Sequence, residues 1–566
     1  MEPDAPPEHP SPAVGGDPSG ASPPPAERVP PRVGRGGLRA LRAAVEGVLP
    51  AERFADQRNI LGNTGQNVVG LGIGALATFA AQVLMTNALG PERFGIVTVA
   101  TQFAFITAAA TRFGMDVANV RLVAILVGKG EAGRARGLVA RAGAIAGAVS
   151  AAFAVLAFLG SGALAERFTA LPREAAPAFR AAALAVPLAA LAFTYMGATR
   201  GLKIMRYTLY AQWTAQPLGW IVLALAGWPI ARTAGVTTLA YAASWALALG
   251  VAWWGWEREA RGLVGRREGA GIPEERTVAL LRFGALRAPA TLFSQLIFWA
   301  DFYVLSRLSS GRGLAGAADV GVYGAALRAA QSLFLFLTSV SLTFSPFVAD
   351  LHHRGERERL DALYKAVTRW TLAATIPVLL VLAVLPGPVL RIFGGEFARG
   401  EAALRILIVG AIVPVCVGTV GFILIMAGRT GWDLLVYLGG LAIDVGIALA
   451  LARPERLGIA GAALAQACTL SASAVARLLL VRRFLGIWPF DRHFLRLAAP
   501  AAAGAAAMLA LDALVPDARW ALDLLVAGGL GAVAYLGALV AVGLKPGERR
   551  AALALARGVL RLGAGT

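Results

Sequence analysis

The sequence predicts an all-α polytopic membrane protein of about fourteen transmembrane helices, built as two parallel six-helix repeats around a central cavity, with a helix pair appended. Three observations carry this. Of 566 residues, 57% are hydrophobic and only 15% are charged, against about 25% charged in a soluble domain. The apolar residues fall in blocks of roughly 20, each enough to cross a ~30 Å hydrocarbon core as a helix. Lysine and arginine alternate between rich and poor connections along the chain.

Residues 1–60 are Pro-, Gly- and Ser-rich and lack the apolar stretch of a signal peptide, which predicts a disordered tail. Within it, "GGLRALRAAVEGVLPAERFAD" (36–56) reads as either a short interfacial helix or a solvated linker. Hydropathy then places spans at 64–88, 94–112, 139–160, 178–199, 208–230, 234–256, 284–306, 320–347, 370–390, 403–427, 433–452, 458–481, 497–515 and 520–544. Tryptophans near several span ends, as in "WWGWE" (253–257), Trp370, Trp432 and Trp520, fit an interfacial belt.

The N-terminal tail, the even-numbered connections and the C-terminal tail hold 39 of the 53 lysines and arginines, and the odd-numbered connections hold 13. This bias puts both termini in the cytoplasm. It also accounts for the net charge of +19 without nucleic acid, since the basic connections face anionic lipid headgroups. The remaining cation, Arg328, stands inside span eight. Both cysteines, Cys416 and Cys468, fall in spans, so no disulfide framework or cysteine metal site is expected. All four histidines lie outside the spans.

The two halves of the chain repeat at a nearly constant offset. "FGIVTVATQF" (94–103) aligns with "VGVYGAALRA" (320–329), "VAILVGKGE" (123–131) with "VADLHHRGE" (348–356), and "FRAAALAVP" (179–187) with "LRILIVGAIVP" (404–414). The repeat covers spans one to six and seven to twelve. An even number of spans gives both copies one topology, related by an axis along the membrane normal, as in parallel-repeat transporters. The expected units are a tail (1–60), an N-terminal lobe (61–257), a cytoplasmic linker (258–282), a C-terminal lobe (283–483), and spans thirteen and fourteen with a tail (484–566). At this offset Arg328 lies opposite Gln102, on a helix able to line the space between lobes.

Several motifs occur in an order that resembles bacterial oligosaccharide flippases: "NALGPERFGIVTVATQFAFI" (87–106), "WADFYVL" followed by "ADVGVYGAALRAAQSL", "FSPFVADLHHRGERERLDALYKAVTRW" (344–370), "IFGGEFARGEAALRIL" (392–407) and "LGIAGAALAQ" (457–466). The chain is similar to polysaccharide biosynthesis proteins of the Wzx type, in a superfamily that includes drug/cation antiporters and lipid II flippases. It departs from that pattern at Asp444, where many relatives carry Asn. The resemblance implies a bacterial inner-membrane transporter that moves undecaprenyl-type diphosphate-linked oligosaccharide to the outer leaflet. Membrane lipids, and a polymerase with export machinery, would be its partners. It implies no cofactor, and coupling to a proton, sodium or the membrane potential.

Such a substrate needs a cationic cavity, and arginine's planar fork binds phosphate oxygens bidentately. Arg328 either holds the pyrophosphate or pairs with Asp301 and locks spans seven and eight. Asp301, read near the outer end of span seven, is a salt-bridge partner or a cation ligand. Arg287 is a second phosphate contact or an interfacial arginine. Gln66, Gln102 and Gln331 are sugar contacts or links between helices. Asp444 couples a proton or cation, or bonds two helices. Asp116 and Arg121 pair as a gate or sit solvated, and Arg200 gates or sets topology. An enzyme is not expected, because no outward connection exceeds about 20 residues and no paired carboxylates show catalytic spacing; a polymerase or glycosyltransferase is the rival reading from that class. The rival within transport, a drug/cation antiporter, would favour acidic residues in the first half's cavity.

Overall fold

The computed structural model describes residues 54–128, 131–263, 274–514 and 519–544. The interfacial helix proposed for 36–56 lies almost entirely outside them. No strand occurs among the described residues, and each of the fourteen expected spans is helical. Ten helices are each long and apolar enough to cross a membrane. One of them holds two spans: the helix Phe54–Thr111 bends at Gly90 (φ 70°), where Pro91 begins the second span. Glycine tolerates that positive φ, and proline's missing N–H costs little at a helix start.

The remaining three spans are interrupted. Span five passes through a π-helical turn, Leu209–Ala215, before Gln216–Gly227. Span seven is Glu274–Leu296 and Ala300–Ser309, separated by residues 297–299. Span eight is Gly313–Gln331 and Phe334–His353. Such interruptions in membrane helices are tolerated where the backbone is buried in protein or lines a cavity.

The repeat recurs in the helix boundaries. The third spans of the two halves are Ala132–Leu159 and Arg357–Val384, displaced by the same 225 residues at both ends. The sixth spans start at Ala234 and Ile459, again 225 apart. Short helices follow each third span at the same offset, starting at Ser161 and Pro386. Small residues bring the helices together. A Cβ on Gly197 would come within 2.3 Å of the Asp116 carbonyl, and one on Gly410 within 2.4 Å of Ala467. Spans thirteen (Ala498–Asp512) and fourteen (Trp520–Gly543) pack on span nine, where the Tyr535 hydroxyl donates to the Ala373 carbonyl at 2.8 Å.

The halves meet most closely at the end that carries the odd-numbered connections. A Cβ on Gly321 would lie 1.9 Å from the Pro91 carbonyl oxygen, and one on Gly95 would lie 2.7 Å from that of Ala317. Asn87 Nδ2 donates to the Ile392 carbonyl at 2.8 Å, and Phe94 meets Phe397 edge-on at 5.9 Å. Tyr303 donates to the Val99 carbonyl at 3.0 Å. At the opposite end Phe113, with φ 54°, ends span two against Gly284.

Gly321→Val is therefore expected to force spans two and eight apart, because a backbone oxygen cannot yield to the added carbons. Overpacking typically costs about 1–3 kcal/mol. The readout is labelling of a cysteine placed at Thr98 by a membrane-impermeant maleimide, which should rise in the Gly321→Val background; unchanged labelling would refute this account of the seal.

Candidate functional site

Below the Gly321 contact spans two and eight stay close for one more turn, where a Cβ on Gly324 would touch Thr98 Cγ2 at 3.4 Å. Gln102 and Arg328 follow one helical turn further on. From Val320 to Ala330 every residue is buried except Arg328. Gln102 and Gln331 are likewise partly accessible, and no hydrogen-bond partner occurs for either among the described residues. The polar groups of these two spans therefore reach an accessible space beneath the seal.

The Arg328 guanidinium lies over the Trp299 ring, 5.5 Å from its centroid, and is close enough to Tyr241 of span six to interact with it electrostatically. Its Nε has no hydrogen-bond partner. Among the described residues no carboxylate lies within 4.0 Å of it, so the Arg328–Asp301 lock is not formed. An aromatic face stabilises a cation by about 0.5–2 kcal/mol, which is less than the several-kcal/mol penalty of withdrawing one from water. The site is thus short of an anion.

Asp301 is placed otherwise than expected. It is fully buried, not partly hydrated at an outer end. The interruption at 297–299 turns the start of Ala300–Ser309 toward span eleven (Thr430–Leu451). The Tyr323 hydroxyl donates to its Oδ2, while Oδ1 has no partner. Asp444, also fully buried, accepts the Asp301 backbone N–H at 2.8 Å through Oδ2, and Thr469 of span twelve donates to its Oδ1 at 3.3 Å. Two carboxylates side by side in a dry interior need a positive charge, because neighbouring negative charges there repel strongly. Proton and cation both satisfy this. No cluster of three or more acidic, histidine or cysteine ligands exists among the described residues.

The third group lies at the end of the N-terminal half opposite the Gly321 contact, where span two ends. Asp116 does not pair with Arg121, which is exposed. Five residues apart on one helix, the two point about 140° apart at 100° per residue. Its partner is Arg112, at 3.3 Å across the break after span two. Arg112 also lies 4.6 Å from the Phe193 centroid. Arg200 joins them electrostatically and donates Nε to the Met196 carbonyl at 3.3 Å. Two guanidiniums thus share one carboxylate beside Phe113. The side chains of Gln66 and Arg287 lie outside the described set.

Sequence reasoning overlooked Arg112, Trp299, Tyr241, Tyr323 and Thr469. Trp299 stood in the quoted "WADFYVL", two residues before Asp301, and a tryptophan in mid-span was the available signal. Nothing in the sequence marked Tyr241 or Thr469, whose importance comes from partners on distant helices.

The fold is similar to those of solved transporters. An inward-facing multidrug resistance MATE family transporter superposes with a TM-score of 0.59 at 16% identity, over 74% of this chain and 98% of its own. The lipid II flippase MurJ, in an inward closed conformation, gives 0.56 at 13% identity, over 82% and 98%. A Pyrococcus furiosus MOP transporter, described as having a binding pocket of reverse polarity, gives 0.53 at 16% identity, over 81% and 99%. Residues 60–352, more than half of the chain, match the model of the polysaccharide biosynthesis proteins, and the chain belongs to that family. No curated protein matches the sequence.

Proposed function

We propose that this protein carries a pyrophosphate-linked, lipid-anchored oligosaccharide from the cytoplasmic to the outer leaflet of a bacterial inner membrane, by alternating access between its lobes at 61–257 and 283–483. The observation that carries this reading is Arg328, a guanidinium without an anion on the accessible side of an otherwise buried helix. A pyrophosphate supplies the missing charge and accepts the fork's hydrogen bonds. Gln102 and Gln331, both partly accessible, offer amides to sugar hydroxyls. Family membership supports a role in polysaccharide synthesis, with a polymerase and export machinery acting downstream.

The sidedness comes from the arginine bias. With it, the Gly321–Pro91 seam is an outer seal, and the Arg112–Asp116–Arg200 cluster stands by the inner entrance. The Asp301–Asp444 pair supplies coupling: binding a proton or a monovalent cation offsets one of its two negative charges and relieves the repulsion, and release re-creates it, so the ion biases the packing of spans seven, eleven and twelve. The drug/cation antiporter fits poorly, because a free guanidinium in the cavity repels a cationic drug. The burial of the acidic pair speaks against its acting as an acid–base pair on a substrate in the cavity.

The test is made in cells lacking the protein. Intact lipid-linked oligosaccharide should accumulate, protected from reagents outside the membrane, and its mass would name the glycan. Failure to accumulate, or appearance of unpolymerised units on the outer face, would refute the flippase reading.

A further inference from the structure

A groove of about 450 Å³ runs between span eleven and span twelve (Ile459–Leu485) on their outward face, within the range of small-molecule sites. Leucines 435 and 479 wall it and are half exposed, and Gly439 leaves one side open. Its floor is Gly440 and Ser473. Ser473 is 3% exposed, and its hydroxyl has no partner, so a buried polar group is left unsatisfied where the groove is deepest. Trp432 and Arg483 stand at one end.

That end is strongly cationic. Arg429 stacks on Phe484 at 4.5 Å, Phe484 meets Trp432 at 5.7 Å, and Arg482 stacks on Trp488 at 4.9 Å. None of Arg429, Arg482 and Arg483 has a carboxylate within 4.0 Å among the described residues. The nearby acid, Asp433, is already neutralised by Arg477 at 2.8 Å. An apolar trough ending at a tryptophan and three free guanidiniums has the shape and charge of a site for one kind of molecule.

We propose that this groove binds an anionic phospholipid, with an acyl chain along Gly439 and Leu479 and the phosphate at Arg483 and Arg429. The site is separate from the Arg328 cavity and does not depend on the transported substrate. Its leaflet follows from sidedness: the mouth lies on the connections read as cytoplasmic, where the surface is rich in anionic lipid.

Gly439→Leu tests it directly, because a Cβ there meets no protein atom within 4 Å and the side chain beyond it would occupy the trough rather than the helix interface. Gly446, equally open and outside the groove, provides the control, Gly446→Leu. Purified protein is incubated with phosphatidylglycerol or phosphatidylcholine of matched chains, and retained lipid is counted by native mass spectrometry. The wild type and Gly446→Leu should retain phosphatidylglycerol in preference, and Gly439→Leu should lose it. Arg483→Gln should weaken retention about fivefold, as expected for removing one cation near the headgroup. Equal retention of the two lipids, or full retention by Gly439→Leu, would overturn the proposal. So would displacement of phosphatidylglycerol by equimolar undecaprenyl phosphate, which would make the groove a substrate-tail site.

Discussion

Arg328→Ala is expected to abolish polysaccharide export while leaving the amount of protein in the membrane unchanged. The guanidinium has no protein anion to lose, so its removal leaves no carboxylate stranded. What disappears is the interaction with the pyrophosphate. Truncating one side of a desolvated charge pair costs about 2–5 kcal/mol, a loss of thirtyfold or more. Arg328→Lys keeps the charge but loses the planar fork, and should fall between wild type and alanine. Export is measured as surface polymer per unit of protein detected in isolated membranes. Normal export by the alanine variant would remove the phosphate-binding assignment and leave Arg328 as a residue packed on Trp299.

The second large effect is expected at the acidic pair. Asp444→Asn keeps an oxygen to accept the Asp301 N–H and keeps the side chain's volume, so the fold should persist. Substituting uncharged groups for buried charges is often neutral or stabilising. The substitution removes the negative charge that an ion must neutralise. Transport in proteoliposomes should then stop responding to an imposed proton or sodium gradient. The gradient-driven rate should drop roughly 5- to 150-fold, the range of a 1–3 kcal/mol coupling. Imposing each gradient separately identifies the ion. Gradient-dependent transport at the wild-type rate would mean that Asp444 only ties span eleven to span seven.

The two predictions differ because the residues stand in different surroundings, and the sequence did not disclose that difference. It ranked Arg328 and Asp301 as possible partners because they occupy adjacent spans. In the structure Asp301 turns away at the interruption after Leu296 and meets Asp444, 143 residues along the chain. Asp116 and Arg121 were paired by proximity in the chain, whereas helical periodicity separates them and gives Asp116 to Arg112. The single-residue departure at Asp444 was visible, but its meaning required Thr469 and Tyr323, which come from other spans.

By itself the sequence determined the membrane, the fourteen spans, the repeat and the expected sidedness. Those properties depend on how each apolar segment partitions into hydrocarbon and on where the flanking arginines sit, and both can be read one segment at a time. The tertiary structure decided which polar groups meet. It left Arg328 without an anion on an accessible face and put Asp301 beside Asp444 away from it. It also opened a groove between spans eleven and twelve. Each of these depends on helix crossings set by glycine contacts such as Gly321 on Pro91 and by interruptions such as 297–299. Such packing energies arise between segments far apart in the chain, so no single stretch of sequence contains them.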